Sequence, residues 1–323
     1  MTLQKLSRRL FTAGILAFSS MAALAQGVWP NKPVRLVIGI PPGLAADVFA
    51  RVYAEKLSKA LGQPVVVDNK LGATGNIAQD VVAKAPGDGY TLLYAVSNSF
   101  VINPYIYKKL PYDVDKDFAP VSPTVISGLY LVASKNFPAK TVPEMIKLLR
   151  ANPGKFSYGS YGVGGYPHMM MELLLDQERL DVVHVPYKAG AMTDVIGGLV
   201  PLLMEPPNSA VPFIKEGRVQ ALAYLGPVRN PATPDVPLLQ EFVKDAEINS
   251  FHGIWAPAGT PKEIVTRLNL EIAKISRDPE VQEKVRATYA ETTSSSPEEM
   301  GALVKREQAR WSQLVKAKNI QLD

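Results

Sequence analysis

Between Val34 and Ala95 short apolar runs alternate with amphipathic stretches, and this alternation constrains the fold more than any other feature of the chain. "VRLVIGI" (Val34 to Ile40) is continuously apolar apart from Arg35, as suits a strand covered on both faces. The tight turn Pro41-Pro42-Gly43 follows. Apolar residues at Ala46, Phe49, Val52, Tyr53 and Leu57 then give near-helical spacing from Ala45 to Leu61, and Gly62 and Pro64 end that helix. Val65 to Val67 is a second strand, Ile77 to Lys84 a short helix and Thr91 to Ala95 a third strand. The β-α-β-α-β order implies right-handed crossovers and a parallel sheet.

A second series of the same kind begins near Val125. Strands are expected at Gly128 to Ala133, Phe156 to Ser160, Val182 to Val185, Leu202 to Glu205 and Ala221 to Leu225. Helices are expected at Val142 to Ala151, His168 to Gln177, from Thr193 to Ile196 and at Phe213 to Glu216. From Ser250 the chain returns with "FHGIWAPAGTP" and three helices, Pro261 to Arg277, Pro279 to Thr288 and Pro297 to Lys318. The reading is an α/β protein of two lobes, each a mainly parallel sheet flanked by helices, with a cleft between. Lobe 1 is discontinuous, 26–124 and 250–323, and lobe 2 is 125–249. Two crossings make a hinge, and a cleft at a hinge is where small ligands bind.

Residues 1–25 read as a targeting segment. Lys5, Arg8 and Arg9 form a positive n-region, Ala13 to Ala25 is apolar and small, and Ala23-Leu24-Ala25 is an A-x-A cleavage site. "SRRLF" fits a twin-arginine signal as well as a Sec n-region. The expected destination is the periplasm. Loss of this segment removes three basic residues and no acid, taking the formal net charge from +5 to +2, so the basic balance argues little for nucleic acid. With no cysteine, neither a disulfide frame nor a thiolate metal site is available.

The familiar catalytic and cofactor patterns fail. The first turn, "GIPPGLAAD", lacks G-x-G-x-x-G, "GVGGYP" has Pro167 where the last glycine belongs, and no G-K-[ST] is present. "YGSYG" around Ser160 approaches a nucleophile elbow but has Tyr158 in place of the first glycine. A periplasmic serine hydrolase using Ser160 and His168 stands as the alternative function. His168, His184 and His252 lack metal-ligand spacing. What remains are loops at helix starts, Pro42 to Asp47, Gly72 to Asn76, Ser97 to Ser99 and Gly162 to His168. Their small residues would let an anion approach backbone N–H groups. Tyr161, Tyr166 and Tyr187 flank them and could stack on a ligand or fill a lobe interface, while Asp194 is read as a helix cap.

"WPNKPVRLVIGIPPGLAAD", "LGQPVVVDNKLGATGNIAQDVVAKAPGDGYTLLYA", "VPYKAGAMTDVIGG", "RVQALAYLG" with "PATPDVPLLQE", and "GIWAPAGTPKEIVTRLNLEI" together resemble the substrate-binding receptors of tripartite tricarboxylate transporters, the Bordetella uptake gene or Bug family. The resemblance spans essentially the whole chain after residue 25. It implies a type II periplasmic binding-protein fold, no enzymatic activity, no cofactor and no metal. It also implies a monomer that captures a small carboxylate and delivers it to a membrane permease. Carried over by motif, the ligand residues are Pro42, Gly43, Leu44, Ala45, Ala46 and Asp47; Asn69 to Thr74; Ser97 and Asn98; Ser160, Tyr161, Gly162, Val163, Gly164, Gly165 and His168; and Tyr187, Lys188 and Ala189. The chain departs from the family pattern at Leu44 for glycine, Ala46 for a hydroxyl residue, Gly165 for Ser or Thr, and Ala189 for glycine. The site loses hydroxyl donors and gains apolar surface, which favours an aromatic mono- or dicarboxylate over an aliphatic dicarboxylate and rejects polyhydroxy or highly charged solutes.

Overall fold

Val34, Leu36, Val37 and Ile38 are fully buried, and the strand they form, β1 (Val34–Ile38), lies between two parallel partners, β2 (Val65–Asn69) and β3 (Thr91–Val96). The computed structural model describes residues 29–72 and 75–322; the expected targeting segment and Thr74 lie outside them. The connections carry α1 (Ala45–Leu61) and α2 (Asn76–Ala83), so the expected βαβαβ unit is present. Gly62 ends α1 in the left-handed conformation (φ 70°), its N–H returning to Ser58 O. Two short helices, α3 (Asn98–Val101) and α4 (Asn103–Ile106), lead to β4 (Phe118–Ile126).

The chain then builds a second sheet unit. Its elements are β5 (Leu129–Ser134), α5 (Val142–Arg150), β6 (Ser157–Ser160), α6 (Tyr166–Glu178), β7 (Val183–Pro186), α7 (Ala191–Ile196), β8 (Leu202–Glu205), α8 (Pro207–Lys215) and β9 (Val219–Leu225). It returns through β10 (Phe251–Pro257), α9 (Lys262–Ser276), α10 (Pro279–Arg286), β11 (Glu291–Thr292) and α11 (Pro297–Lys318). The first sheet has the order β11-β4-β10-β3-β1-β2 and the second β7-β6-β8-β5-β9. Most strands in each sheet point one way. The reversed strands are β10 and β11 in the first sheet and β5 in the second. The fold is therefore the expected α/β architecture.

The crossings are unequal. Only Ser127 and Gly128 join β4 to β5, whereas residues 226–250 join β9 to β10. The two routes touch: a Cβ on Gly128 would lie 2.1 Å from Leu225 O and 2.4 Å from the Tyr224 hydroxyl oxygen, so only glycine fits there. A cavity of about 650 Å³ opens beside them, with Ser127, Gly128, Tyr224, Ile248 and Tyr289 in its wall. None of the expected ligand residues lines it; it lies beside the two crossings between the sheets.

Buried side chains unite the two units. Val37 and Leu93 from the first sheet, Leu202 and Met204 from the second, the α6 run Met169–Met171 and Trp311 of α11 belong to one apolar cluster. Phe100 stacks on Trp255 with ring centroids 4.1 Å apart, and Tyr166 meets Trp311 edge-on. Where α11 begins, Ser296 and Glu299 form a reciprocal capping box.

Candidate functional site

The loop after β1 is held by a carboxylate. Asp47 is buried, 2 % exposed, and accepts from Gly43 N (3.0 Å), Arg51 Nε (2.8 Å), Arg51 Nη2 (3.1 Å) and Asn69 Nδ2 (2.8 Å). Asn69 also donates to Ile40 O at 2.8 Å and accepts from Arg51 at 3.1 Å. Burial pushes the Asp47 pKa up, but the bonds from Arg51, Asn69 and Gly43 outweigh it and hold the group at about 2. The side chains of Asp47 and Asn69 are thus spent on shaping the loop. Pro42, Gly43 and Leu44 are exposed, and Ala45 is half-buried. Leu44 is the N-cap residue of α1 and offers no side-chain acceptor, so the first-turn amides have no cap bond.

The opposing loop, between β6 and α6, repeats this plan with different chemistry. Gly165 is the N-cap residue of α6 and likewise makes no side-chain cap. His168 Nδ1 accepts from Gly164 N at 3.2 Å. In both helices the third residue of the first turn therefore reaches back to the amide just before the cap, Asp47 to Gly43 and His168 to Gly164. Ser160 is fully buried; its hydroxyl donates to Gly162 O at 3.0 Å and lies 2.7 Å from His184 Nε2. When its single proton goes to Gly162 O, His184 Nε2 is the donor in the second contact. The rings of His168 and His184 are 4.2 Å apart, and Tyr158 stacks on both. Burial lowers both histidines, and the neighbouring His184 adds to it at His168, whose pKa falls to about 3.

These contacts do not pair Ser160 with His168. The alternative hydrolase needs Ser160 bonded to His168, yet Ser160 is engaged by His184 and Gly162, and His168 by Gly164.

The remaining expected residues fall into two groups. Ser97 is fully buried: its oxygen meets the Tyr166 hydroxyl at 2.9 Å and accepts from Phe251 N at 3.2 Å, which fastens the first unit to α6. Asn98, Gly162 and Val163 are half-buried, and Lys188 and Ala189 are exposed before α7. The Tyr187 N–H reaches Ser160 O at 2.8 Å, and its hydroxyl donates to Asp194 at 2.7 Å. Asp194 accordingly does not cap α7: Gly190 occupies that position in the left-handed conformation, and Asp194 lies a turn further on and fixes Tyr187. Gly164 (φ 82°) packs against the first unit: a Cβ there would sit 2.1 Å from Ile106 Cδ1 of α4.

Sequence reasoning missed Glu205. It ends β8, is 1 % exposed, and accepts from the Tyr161 hydroxyl at 3.1 Å and from the Ser209 hydroxyl. Burial pushes its pKa up to about 7, against the two hydroxyl bonds. The available signal was an acid between a fully apolar strand and two prolines, "LLMEPP". Among the described residues no group of three His, Cys, Asp or Glu could hold a metal ion, and no helix is long and apolar enough to cross a membrane.

Two α/β sheet units joined by two crossings, with Ser160 and His168 bonded to other partners than each other, fit the build of a solute-binding receptor. The chain belongs to the family described as "Tripartite tricarboxylate transporter family receptor" (TctC), which matches residues 49–320. These are periplasmic binding receptors and not enzymes. The chain is 36 % identical over 322 residues to the "UPF0065 protein in tcbD-tcbE intergenic region" of Pseudomonas sp. (strain P51), covering 97 % of this chain and 95 % of the relative. Among solved structures it is similar to Rpa4515 of R. palustris with adipate, at 33 % identity and TM-score 0.77 over 89 % of this chain and 97 % of that one. It is similar also to the periplasmic binding protein BugD, at 32 % identity and TM-score 0.76 over 91 % and 99 %.

Proposed function

We propose that the protein captures a small carboxylate between the loops at Pro42 to Asp47 and Ser160 to Gly165 and delivers it to the membrane permease of a tripartite tricarboxylate-type transporter. The observation that carries this reading is the pair of helix starts whose cap residues, Leu44 and Gly165, make no side-chain bond. Uncapped first-turn amides with the positive end of a helix dipole behind them suit an anion. The similarity to a receptor solved with adipate supports the ligand class. The chain acts as a monomer after export and removal of residues 1–25, with lobe 2 at 125–249 closing on lobe 1 around the ligand.

The ligand has an apolar body, an aromatic mono- or dicarboxylate before an aliphatic dicarboxylate. Leu44 is 55 % exposed and Leu71 50 %, whereas Ala46 is buried in the apolar core. Thermal melting against a carboxylate panel tests this: a bound ligand raises the midpoint by mass action, about 2.7 kcal/mol at a hundredfold excess over Kd. A shift with benzoate-type acids supports the aromatic preference. Stronger binding of citrate or malate overturns it, and no shift with any carboxylate overturns the carboxylate reading.

A further inference from the structure

The cavity beside the two crossings plays no part in the reading above. Its volume, about 650 Å³, lies within the range of small-molecule sites. Tyr224, Phe251 and Tyr289 supply aromatic walls, and Pro123, Pro227 and Pro231 add ring surfaces. Val228, Arg229 and Arg286 also line it and are exposed, so the space is reached from solvent. Both arginines already have acid partners: Arg229 Nη2 lies 2.8 Å from Glu241 Oε1, and Arg286 Nε lies 3.2 Å from Glu291 Oε2. A charged solute there would break a pair or stay unpaired against apolar walls. The remaining polar residues of the wall, among them Ser127, Ser250 and Thr293, are neutral.

The walls belong to both units. Tyr224 lies on β9, whereas Phe251 begins β10 and Tyr289 falls between α10 and β11. Tyr289 sits at φ 63°, a left-handed conformation unfavourable for a bulky residue. Its ring packs against the apolar cluster of the second unit, with Lys215 Nζ of α8 5.5 Å from the ring centroid. Asn230 Nδ2, on the long crossing, donates to Tyr289 O at 3.2 Å.

We infer that this cavity binds an uncharged aromatic molecule of one or two rings, and that the occupant holds the two units at one angle. The aromatic and proline surfaces select a flat apolar body, and the paired arginines select against charge. This separates the occupant from the anion assigned to the loops at Pro42 to Asp47 and Ser160 to Gly165. The hold on the angle follows from the walls: a molecule touching Phe251 of one unit and Tyr224 of the other fits only while their spacing is kept. It rests on the closing motion in the reading above, whereas the binding of the aromatic molecule does not. Linkage then makes the occupant an effector of the anion site, since both respond to the same angle.

The binding test is calorimetric titration of the purified protein with 2-naphthol and with 2-naphthoate, its anionic counterpart. 2-Naphthol should bind one-to-one. Tyr289→Gly removes one aromatic wall and suits the left-handed backbone, so the variant should fold and bind 2-naphthol about tenfold more weakly. If it does not fold, Val228→Trp, at an exposed part of the wall, fills the space instead, with the same loss expected. Leu44→Asp, in the anion loop, should leave 2-naphthol binding unchanged. Absence of 2-naphthol binding, or a loss with Leu44→Asp in place of Tyr289→Gly, overturns the site. An equal loss for 2-naphthoate in Tyr289→Gly overturns its preference for an uncharged molecule. The angle is read by spin labels. The chain has no cysteine, so Val66→Cys and Val183→Cys, exposed positions on the edge strands β2 and β7, carry the only labels. Saturating 2-naphthol should narrow their distance distribution, and an unchanged distribution overturns the hold on the angle. Each of these failures leaves the receptor reading intact, which falls only if every carboxylate fails to bind.

Discussion

The loops that open α1 and α6 are built to one plan from opposite materials. Each follows a buried strand, each helix starts on a residue without a side-chain cap, and each ties its third residue back to the amide before the cap. In the first unit the tie is a carboxylate held ionised by Arg51 and Asn69. In the second it is a neutral imidazole in an aromatic stack with His184 and Tyr158. A buried negative charge needs a cation to offset it, and Arg51 provides one. The neutral tie needs none but is vulnerable to protonation. The same geometry thus has two chemical supports with different failure modes.

The largest effect should come from Asp47→Ala. It leaves Gly43 N–H, the Asn69 amide and Arg51 without their shared acceptor, and we expect a loss of about 3 kcal/mol in urea unfolding together with loss of ligand binding. Gly164→Ala comes next, at about 2 kcal/mol. It places a Cβ against Ile106 at a left-handed φ, and the added change Ile106→Ala should recover the steric part but not the backbone part.

Acid should then separate the two loops. His168 titrates near 6.5 when unfolded and at about 3 when folded, so the unfolded chain binds the proton first and stability falls as pH drops below about 6.5. At pH 5 this amounts to about 2 kcal/mol from His168, and the lowered His184 and His252 act in the same direction. Asp47, with its depressed pKa, contributes stability above about pH 3.9 that is lost only as pH falls towards 2. Between pH 7.5 and 4.5 the histidines lower stability while Glu205, raised to about 7, acts in the opposite direction, so the histidine term is read as the difference between the melting curves of wild type and His168→Leu, with the Asp47 network still intact. The smallest effect is His168→Leu at pH 7.5, about 1 kcal/mol for the orphaned Gly164 N–H, with part of the acid sensitivity removed at the same time.

The alternation of β and α was readable from residue spacing, and so were the loops, because Gly, Pro and small residues cluster where strands end. The start of α1 at Ala45 follows from the turn and the apolar spacing. β4 was missed because Pro120 and Pro123 argue against a strand. The sheet accommodates them through register shifts opposite β10, between His252 and Gly253 and between Ile254 and Trp255. The first turns of α8 were missed for a related reason: Pro207 at the start and Pro212 within obscure the helical period. In the site, contacts between distant residues were out of reach. Nothing in the spacing says that His184, on β7, meets Ser160, or that Glu205 lies under Tyr161. Asp47 was legible as a first-turn acid, and both it and Asn69 were read as ligand residues, but the bond between their side chains, which braces the loop, was not legible.

The placement of β10 has a consequence for the order in which the molecule can be made. It lies between β3 and β4 near the middle of the first sheet, yet it is encoded after the entire second sheet. Until residues 251–257 are available, β3 has an open edge and β4 has no neighbour on that side. The second unit faces no such delay, since its end strands β5 and β9 pair directly, with Leu129 opposite Leu225. Its contacts close within a shorter span of chain, so it should assemble first and bring the two halves of the older sheet together, acting as a template for the unit that precedes it.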